Sequence, residues 1–357
     1  ACYGCENLEC ISFGRSTPLV QAAFFSNANS KVLSEITVDE ENEAMYAYNN
    51  ILYNKATNKI IYVPALIDEL VIAPQATDLS GVSFSHVNAR TAVFHDGITA
   101  YPDSLPYTSE SLTLGAGAPL VPYEGATWSQ LISHNFGFND AVKTMTLYVS
   151  EDNPYMYADE YGNLIRKSDN KALYFTMYAP DEDCVYISDT ITGVADEEGV
   201  AQSLMGATGW SDGVTKLYIG ASFAQIEGLQ PYIYTNYITE ITVSADNPYY
   251  DERDNIVYTE GFESIVLIPF TLNVDELVLP AQLKEIPESA FRFSSGHSDD
   301  YPVSDLWGGD GSLGVYPIPY IGKLSVEEGS QLTSIGDYAF ANDWSDNAAR
   351  VASIDFT

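Results

Sequence analysis

Apolar and polar residues alternate in short bursts along this chain, and the bursts recur. Ile36-Thr-Val-Asp-Glu-Glu-Asn42, Leu147-Tyr-Val-Ser-Glu-Asp-Asn153 and Ile241-Thr-Val-Ser-Ala-Asp-Asn247 are three spellings of one phrase. After each asparagine the chain runs through a Tyr-rich turn into a short apolar strand, at Ile51-Leu-Tyr53, Leu164-Ile165 and Ile256-Val-Tyr258. A second strand follows at Ile60-Ile-Tyr-Val-Pro64, Ala172-Leu-Tyr-Phe175 and Ile265-Val-Leu-Ile-Pro269. Asn-Asn, Gly-Asn and Asp-Asn precede the first strand of each pair. These residues tolerate left-handed backbone, so each pair reads as a hairpin.

A third strand comes next, Leu70-Val-Ile72, Val185-Tyr-Ile187 or Leu277-Val-Leu279, with proline closing the first and last copies. The unit then ends in an apolar turn, spelled most clearly as Leu283-Lys-Glu-Ile286-Pro-Glu-Ser-Ala290-Phe291 and Leu332-Thr-Ser-Ile335-Gly-Asp-Tyr-Ala339-Phe340. Ala and Phe at this spacing fit a single helical turn facing the strands, which predicts a ladder of phenylalanines from unit to unit. Ile11-Ser-Phe-Gly14, Leu112-Thr-Leu-Gly115 and Leu217-Tyr-Ile-Gly220 recur about every hundred residues. They divide the chain into composite units of about 1–111, 112–216 and 217–311, with a partial unit at 312–357. The expected fold is one repeat solenoid over 1–357, β-rich, with short parallel strands, short helical turns and inserted β-hairpins. Ala1-Cys-Tyr-Gly-Cys5 aligns with Ala339-Phe-Ala-Asn-Asp343, and Cys10-Ile-Ser-Phe13 with Ser353-Ile-Asp-Phe356, so the chain is expected to be part of a longer array.

The phrases Leu283-x-x-Ile-x-x-x-Ala-Phe291, Leu332-x-x-Ile-Gly-x-x-Ala-Phe340 and Gly4-Cys5-Glu-Asn-Leu8, with the Asn-Pro-x-Tyr hairpins, resemble leucine-rich repeats of the BspA type. Such repeats occur in secreted and surface proteins of host-associated bacteria and some protists. The best copies lie between 236 and 357, whereas 76–135 and 188–235 are eroded. The resemblance implies a right-handed coil with parallel strands on one face, an extracellular or cell-surface location, and adhesion to host or matrix. It carries no catalytic residues to transfer.

Composition narrows the partners. Fifteen Lys and Arg against 50 Asp and Glu give a formal charge of −35, a field that repels nucleic acid and anionic lipid. An apolar content of 46% means that this acidity does not imply disorder. No run of apolar residues is long enough to span a bilayer, and the first residues lack the pattern of a signal peptide. Any export signal or anchor is therefore expected outside this segment. The four cysteines, Cys2, Cys5, Cys10 and Cys184, form no disulfide framework, and Cys2-Tyr-Gly-Cys5 lacks the second pair that a zinc site needs.

Candidate chemistry is sparse. His86, His95, His134 and His297 stand apart from any nucleophile motif, so an enzyme is not expected. Gly309-Asp-Gly-Ser-Leu-Gly314 has neither the helix nor the basic residue of a phosphate loop. No cofactor is required. Acidic clusters at Asp246–Asp254 and at Asp299, Asp300, Asp305 and Asp310 have oxygen ligands suited to calcium but not the spacing of a known calcium loop. Trp128, Trp210, Trp307 and Trp344 all fall in polar stretches between coils, where a ring beside a short acid suits a sugar or an anchoring loop, or else seals the coil. The insertion 292–320, with His297, Tyr301, Trp307, Tyr316 and Tyr320, is the longest in the best-preserved region. Trp210, Trp307, Trp344, Tyr301 and Tyr316 are thus the expected contacts to an extracellular protein or a glycan. A passive spacer is the remaining alternative.

Overall fold

A computed structural model of the chain describes residues 7–25, 33–117, 146–175, 183–195, 215–226, 238–269, 271–288, 290–291, 320–340 and 351–357. The chain forms two compact units, one of Ala1–Tyr174 with Glu198–Val200 and one of Phe175–Glu197 with Ala201–Thr357. Both are built from short strands. Among the described residues the only helical segments are 3₁₀ turns at Ala22–Phe24 and Glu260–Phe262.

In the first unit, four parallel strands lie in the order Glu69–Val71, Asn88–Phe94, Tyr107–Leu114, Thr146–Val149. Leu70, Ala92, Leu112 and Leu147 stand in one register row, and all four are buried. The next residues along, Val71, Val93, Thr113 and Tyr148, form the outward row. Alternation of period two therefore sends one row into a dry interior and leaves the other on the surface. A parallel pair at Cys10–Phe13 and Glu35–Val38 precedes this sheet.

The second unit repeats the scheme. Cys184–Ile187, Lys216–Ile219 and Glu240–Val243 run parallel, with Val185, Leu217 and Ile241 buried in register. A further parallel sheet joins Asn273–Leu279, Tyr320–Val326 and Ile354–Asp355. Beneath it Leu277, Leu279, Leu283, Ile286, Phe291 and Leu324 share one core cluster. Each such side chain stabilises the fold by about 1.5–3 kcal/mol relative to exposure.

Three antiparallel meanders interrupt the parallel strands, and here the expected hairpins need correction. The Tyr-rich segment after each asparagine is itself a strand, so the motif has three strands: Met45–Tyr48, Ile51–Asn54 and Ile60–Tyr62 in the first copy. The second copy uses Met156–Ala158, Leu164–Arg166 and Lys171–Tyr174, and the third Tyr250–Arg253, Ile256–Thr259 and Ile265–Leu267. Tyrosine favours a pleated, half-buried surface, a preference that outweighed the turn signals around it. The turns themselves are as the sequence implied. Asn49, Asn50, Asp254 and Asn255 all have positive φ, as does Gly162.

The closing segments also differ from expectation, for they are tight turns and not helical. Phe291 donates its N–H to the carbonyl of Ala339, in the next copy of the phrase, at 2.7 Å and not to a carbonyl within its own turn. The phenylalanine ladder survives, with Phe291 and Phe340 stacked at 5.3 Å and 17°.

Candidate functional site

Much of the conspicuous polar chemistry is consumed by the fold. Asn42 is fully buried, and its amide donates to the carbonyls of Gly14 and Thr17 while its oxygen accepts from Ala44 and Met45 N–H. Asn153 and Asn247 repeat this, the first against Gly115 and the second against Gly220 and Phe223. One side chain thus ties the segment after a parallel strand to the start of a meander, satisfying main-chain groups that burial would otherwise leave unpaired. The phrase-ending asparagine was visible in the sequence, but nothing local in it reveals a partner more than twenty residues away.

The described histidines are structural as well. His95 Nδ1 accepts from Gly97 N–H at 3.0 Å, which assigns the proton to Nε2 and makes that nitrogen the donor to Ala73 carbonyl at 3.1 Å. His86 Nε2 lies 3.3 Å from Val63 carbonyl. Within the acidic stretch, Asp251 accepts from Gly261 N–H, Glu252 accepts from Asn255 N–H, and Asp254 pairs with Arg253. Among the described residues no group of three His, Cys, Asp or Glu side chains is placed to hold a metal ion. Cys10 is exposed and Cys184 is buried. Trp210, Trp307, Trp344, Tyr301 and Tyr316 lie outside the described residues, as do Trp128, His134 and His297.

What the fold leaves over is the outward face of the parallel sheets. In the first unit Arg90 sits where the ladder is irregular and bonds Asp68, Glu69 and Glu110, carboxylates on or next to the two flanking strands, at 2.6–3.1 Å. These bonds raise the guanidinium pKa further above its already high value. Arg90 is thereby held by three carboxylates at once. Tyr148 ends the outward row and is 54% exposed.

In the second unit the same outward position carries Tyr186 and Tyr218, register partners whose rings lie 5.8 Å apart at 46°. Both are half-buried. The Tyr218 hydroxyl donates to Asp189 Oδ1 at 2.9 Å. A hydrogen bond with Ser244 pulls this phenol down, but burial and the carboxylates of Asp189 and Asp246 outweigh it and raise its pKa above the ordinary 10.0. Asp189 also accepts from Ala221 N–H at 2.8 Å, so its carboxylate is fixed in place. The result is an aromatic pair rimmed by negative charge, suited to cationic and amphipathic side chains.

No family model matches the chain, and no curated protein matches it significantly. Two solved structures align with it loosely. One is a pneumococcal vaccine antigen, PcpA, at 12% identity and a TM-score of 0.26, covering 95% of this chain. The chain spans 59% of the length of that antigen. The other is a leucine-rich repeat protein from Eubacterium ventriosum, at 10% identity and a TM-score of 0.29, covering 97% of this chain and 88% of that one. Superpositions this loose transfer no residue role.

Proposed function

We propose that the chain is a single leucine-rich-repeat-like array in a secreted or cell-surface protein, and that its work is binding an extracellular protein and not catalysis. The observation that carries this reading is the Tyr186–Tyr218 pair on an outward strand face, held beside the fixed carboxylate of Asp189. The inner rows of the same strands are fully engaged in the core, so substitutions on the outer row alter recognition with little cost to folding. Solenoid repeats of this kind offer extended faces on which affinity is distributed. The described histidines support a non-catalytic role, because each is spent on a main-chain contact between coils.

The test is saturable binding of the chain to a panel of immobilised matrix and host-surface proteins, repeated with Tyr186→Ala/Tyr218→Ala. Loss of binding with an unchanged melting temperature supports the reading. A glycan-array signal removed by Trp210→Ala, Trp307→Ala and Trp344→Ala would replace it with sugar recognition.

A further inference from the structure

In the first two meanders a lysine performs the same task. Lys55 and Lys167 directly follow the residues that pair with Met45 and Met156, and their main-chain N–H groups donate to the carbonyls of Ala44 and Tyr155. Their ammonium groups bond the main-chain carbonyls of Asn42 and Asn153, at 2.7 and 2.6 Å. The acceptor in both cases is the buried, coil-tying asparagine.

The third meander keeps the strand pairing and the main-chain and side-chain bonds of this arrangement, around an asparagine that is half-buried. Thr259 pairs with Tyr250, the next N–H donates to Tyr249 carbonyl at 2.8 Å, and Asn247 makes the same side-chain bonds. The lysine is replaced by Glu260. Where two repeats put a positive charge on the asparagine carbonyl, the third has a negative one.

An open cleft of about 490 Å³ lies beside this point, walled by Pro248 and Tyr249, the two residues after Asn247, and by Glu260, Glu263, Lys284 and Glu285 among others. Tyr249 is 48% exposed. Lys284 is committed to Glu263, and among the described residues neither Glu260 nor Glu285 has an ion-pair partner. Three carboxylates against one ammonium make the cleft an unsuitable place for an anion. The exposed ring gives an alkyl stem something to lie on.

We propose that this cleft captures a lysine side chain of a partner polypeptide, whose ammonium takes the position that Lys55 and Lys167 fill in the other meanders. It sits between Asn247 carbonyl and Glu260, with its stem along the Tyr249 ring. A point charge on one carbonyl suits an ammonium better than the planar fork of arginine. The site is separate from the Tyr186–Tyr218 face, and neither reading depends on the other.

The probe is a doubly capped Gly-Lys-Gly-Lys-Gly peptide, titrated into the full chain at about 0.15 M salt, where long-range attraction is screened. Glu260→Lys restores the lysine of the other repeats. It is expected to weaken binding roughly tenfold while the melting temperature holds or rises. Tyr249→Ala should weaken binding as well. Acetylating the lysines should abolish binding, and the arginine peptide should bind more weakly. Glu151→Lys, an exposed carboxylate in the first unit, is the charge-matched control and should leave affinity unchanged. Equal losses in Glu260→Lys and Glu151→Lys, undiminished affinity in Glu260→Lys, or full binding of the acetylated peptide would each overturn the proposal. None of these results bears on the Tyr186–Tyr218 face, which is read by its own variants.

Discussion

The side-chain amide of Asn247 lies 2.7 Å from the carbonyl of Gly220, twenty-seven residues earlier in the chain, while its oxygen accepts from the N–H groups of Tyr249 and Tyr250. One uncharged side chain acts as donor and acceptor to two segments at once. Its counterpart Asn42 is fully buried, so truncation there strands main-chain groups without water. Asn42→Ala should cost about 1–3 kcal/mol, read from urea unfolding.

Asn42→Asp separates the two halves of that role. A carboxyl group still accepts, but it donates only when protonated, and then through one O–H to one of the two carbonyls that the amide serves, so in this buried place its folded pKa is raised above the unfolded value of about 3.9. A group shifted upward stabilises below its unfolded pKa and ceases to as pH rises through the folded one. Denaturation series across pH should show Asn42→Asp closest to wild-type stability in acid, short of it by the one donor bond that is lost, and progressively weaker toward neutrality. A pH-independent deficit would mean that the donor bonds do not matter.

Gly220 and Gly14 occupy the same position of two repeats but not the same space. A Cβ at Gly220 would fall 2.5 Å from the main chain of Ser188, whereas at Gly14 the nearest atom is Thr17 Oγ1 at 3.9 Å. Gly220→Ala should therefore destabilise by about 1–3 kcal/mol through overpacking. Gly14→Ala should be close to neutral by the same thermal melt.

Thr108 is buried, and among the described residues its hydroxyl has no hydrogen-bond partner. Replacing it by valine keeps the shape and removes an unsatisfied polar atom. Thr108→Val should raise stability by about 1 kcal/mol in chemical denaturation, and a loss would point to a partner for that hydroxyl.

Glu327 accepts from Ala281 N–H and pairs with Arg253, both at 2.9 Å, and these contacts, the main-chain bond foremost, lower its pKa below 4.5. A carboxylate shifted downward stabilises above its unfolded pKa, and the benefit disappears as pH falls through the folded one. Glu327→Gln should flatten the stability profile between about pH 5 and pH 3. An unchanged acid limb would show that the two bonds contribute nothing to folding.

Strand positions, turn residues and the phenylalanine ladder were legible because each is set by periodicity or by local backbone preference. Ile241 and Leu217 announce themselves by alternation, and Asn49-Asn50 by tolerance of positive φ. The first strand of each meander was missed, since Met45–Tyr48 lies between turn signals and its pairing decides its state. The sheet-face chemistry was less visible still. Nothing near Tyr218 in sequence indicates Asp189, and Lys55 and Glu260 become comparable only once strand pairing aligns them. Contacts between residues more than twenty positions apart leave no short-range trace.

The asparagines that tie distant main-chain segments also bear on how the protein ages. Spontaneous deamidation begins when the following residue's main-chain nitrogen attacks the asparagine side chain, and that nitrogen must carry a hydrogen. Asn153 and Asn247 are followed by Pro154 and Pro248, whose ring nitrogens have none. Asn42 is followed by Glu43, so slow chemical decay by this route is open at the first tie and closed at the other two.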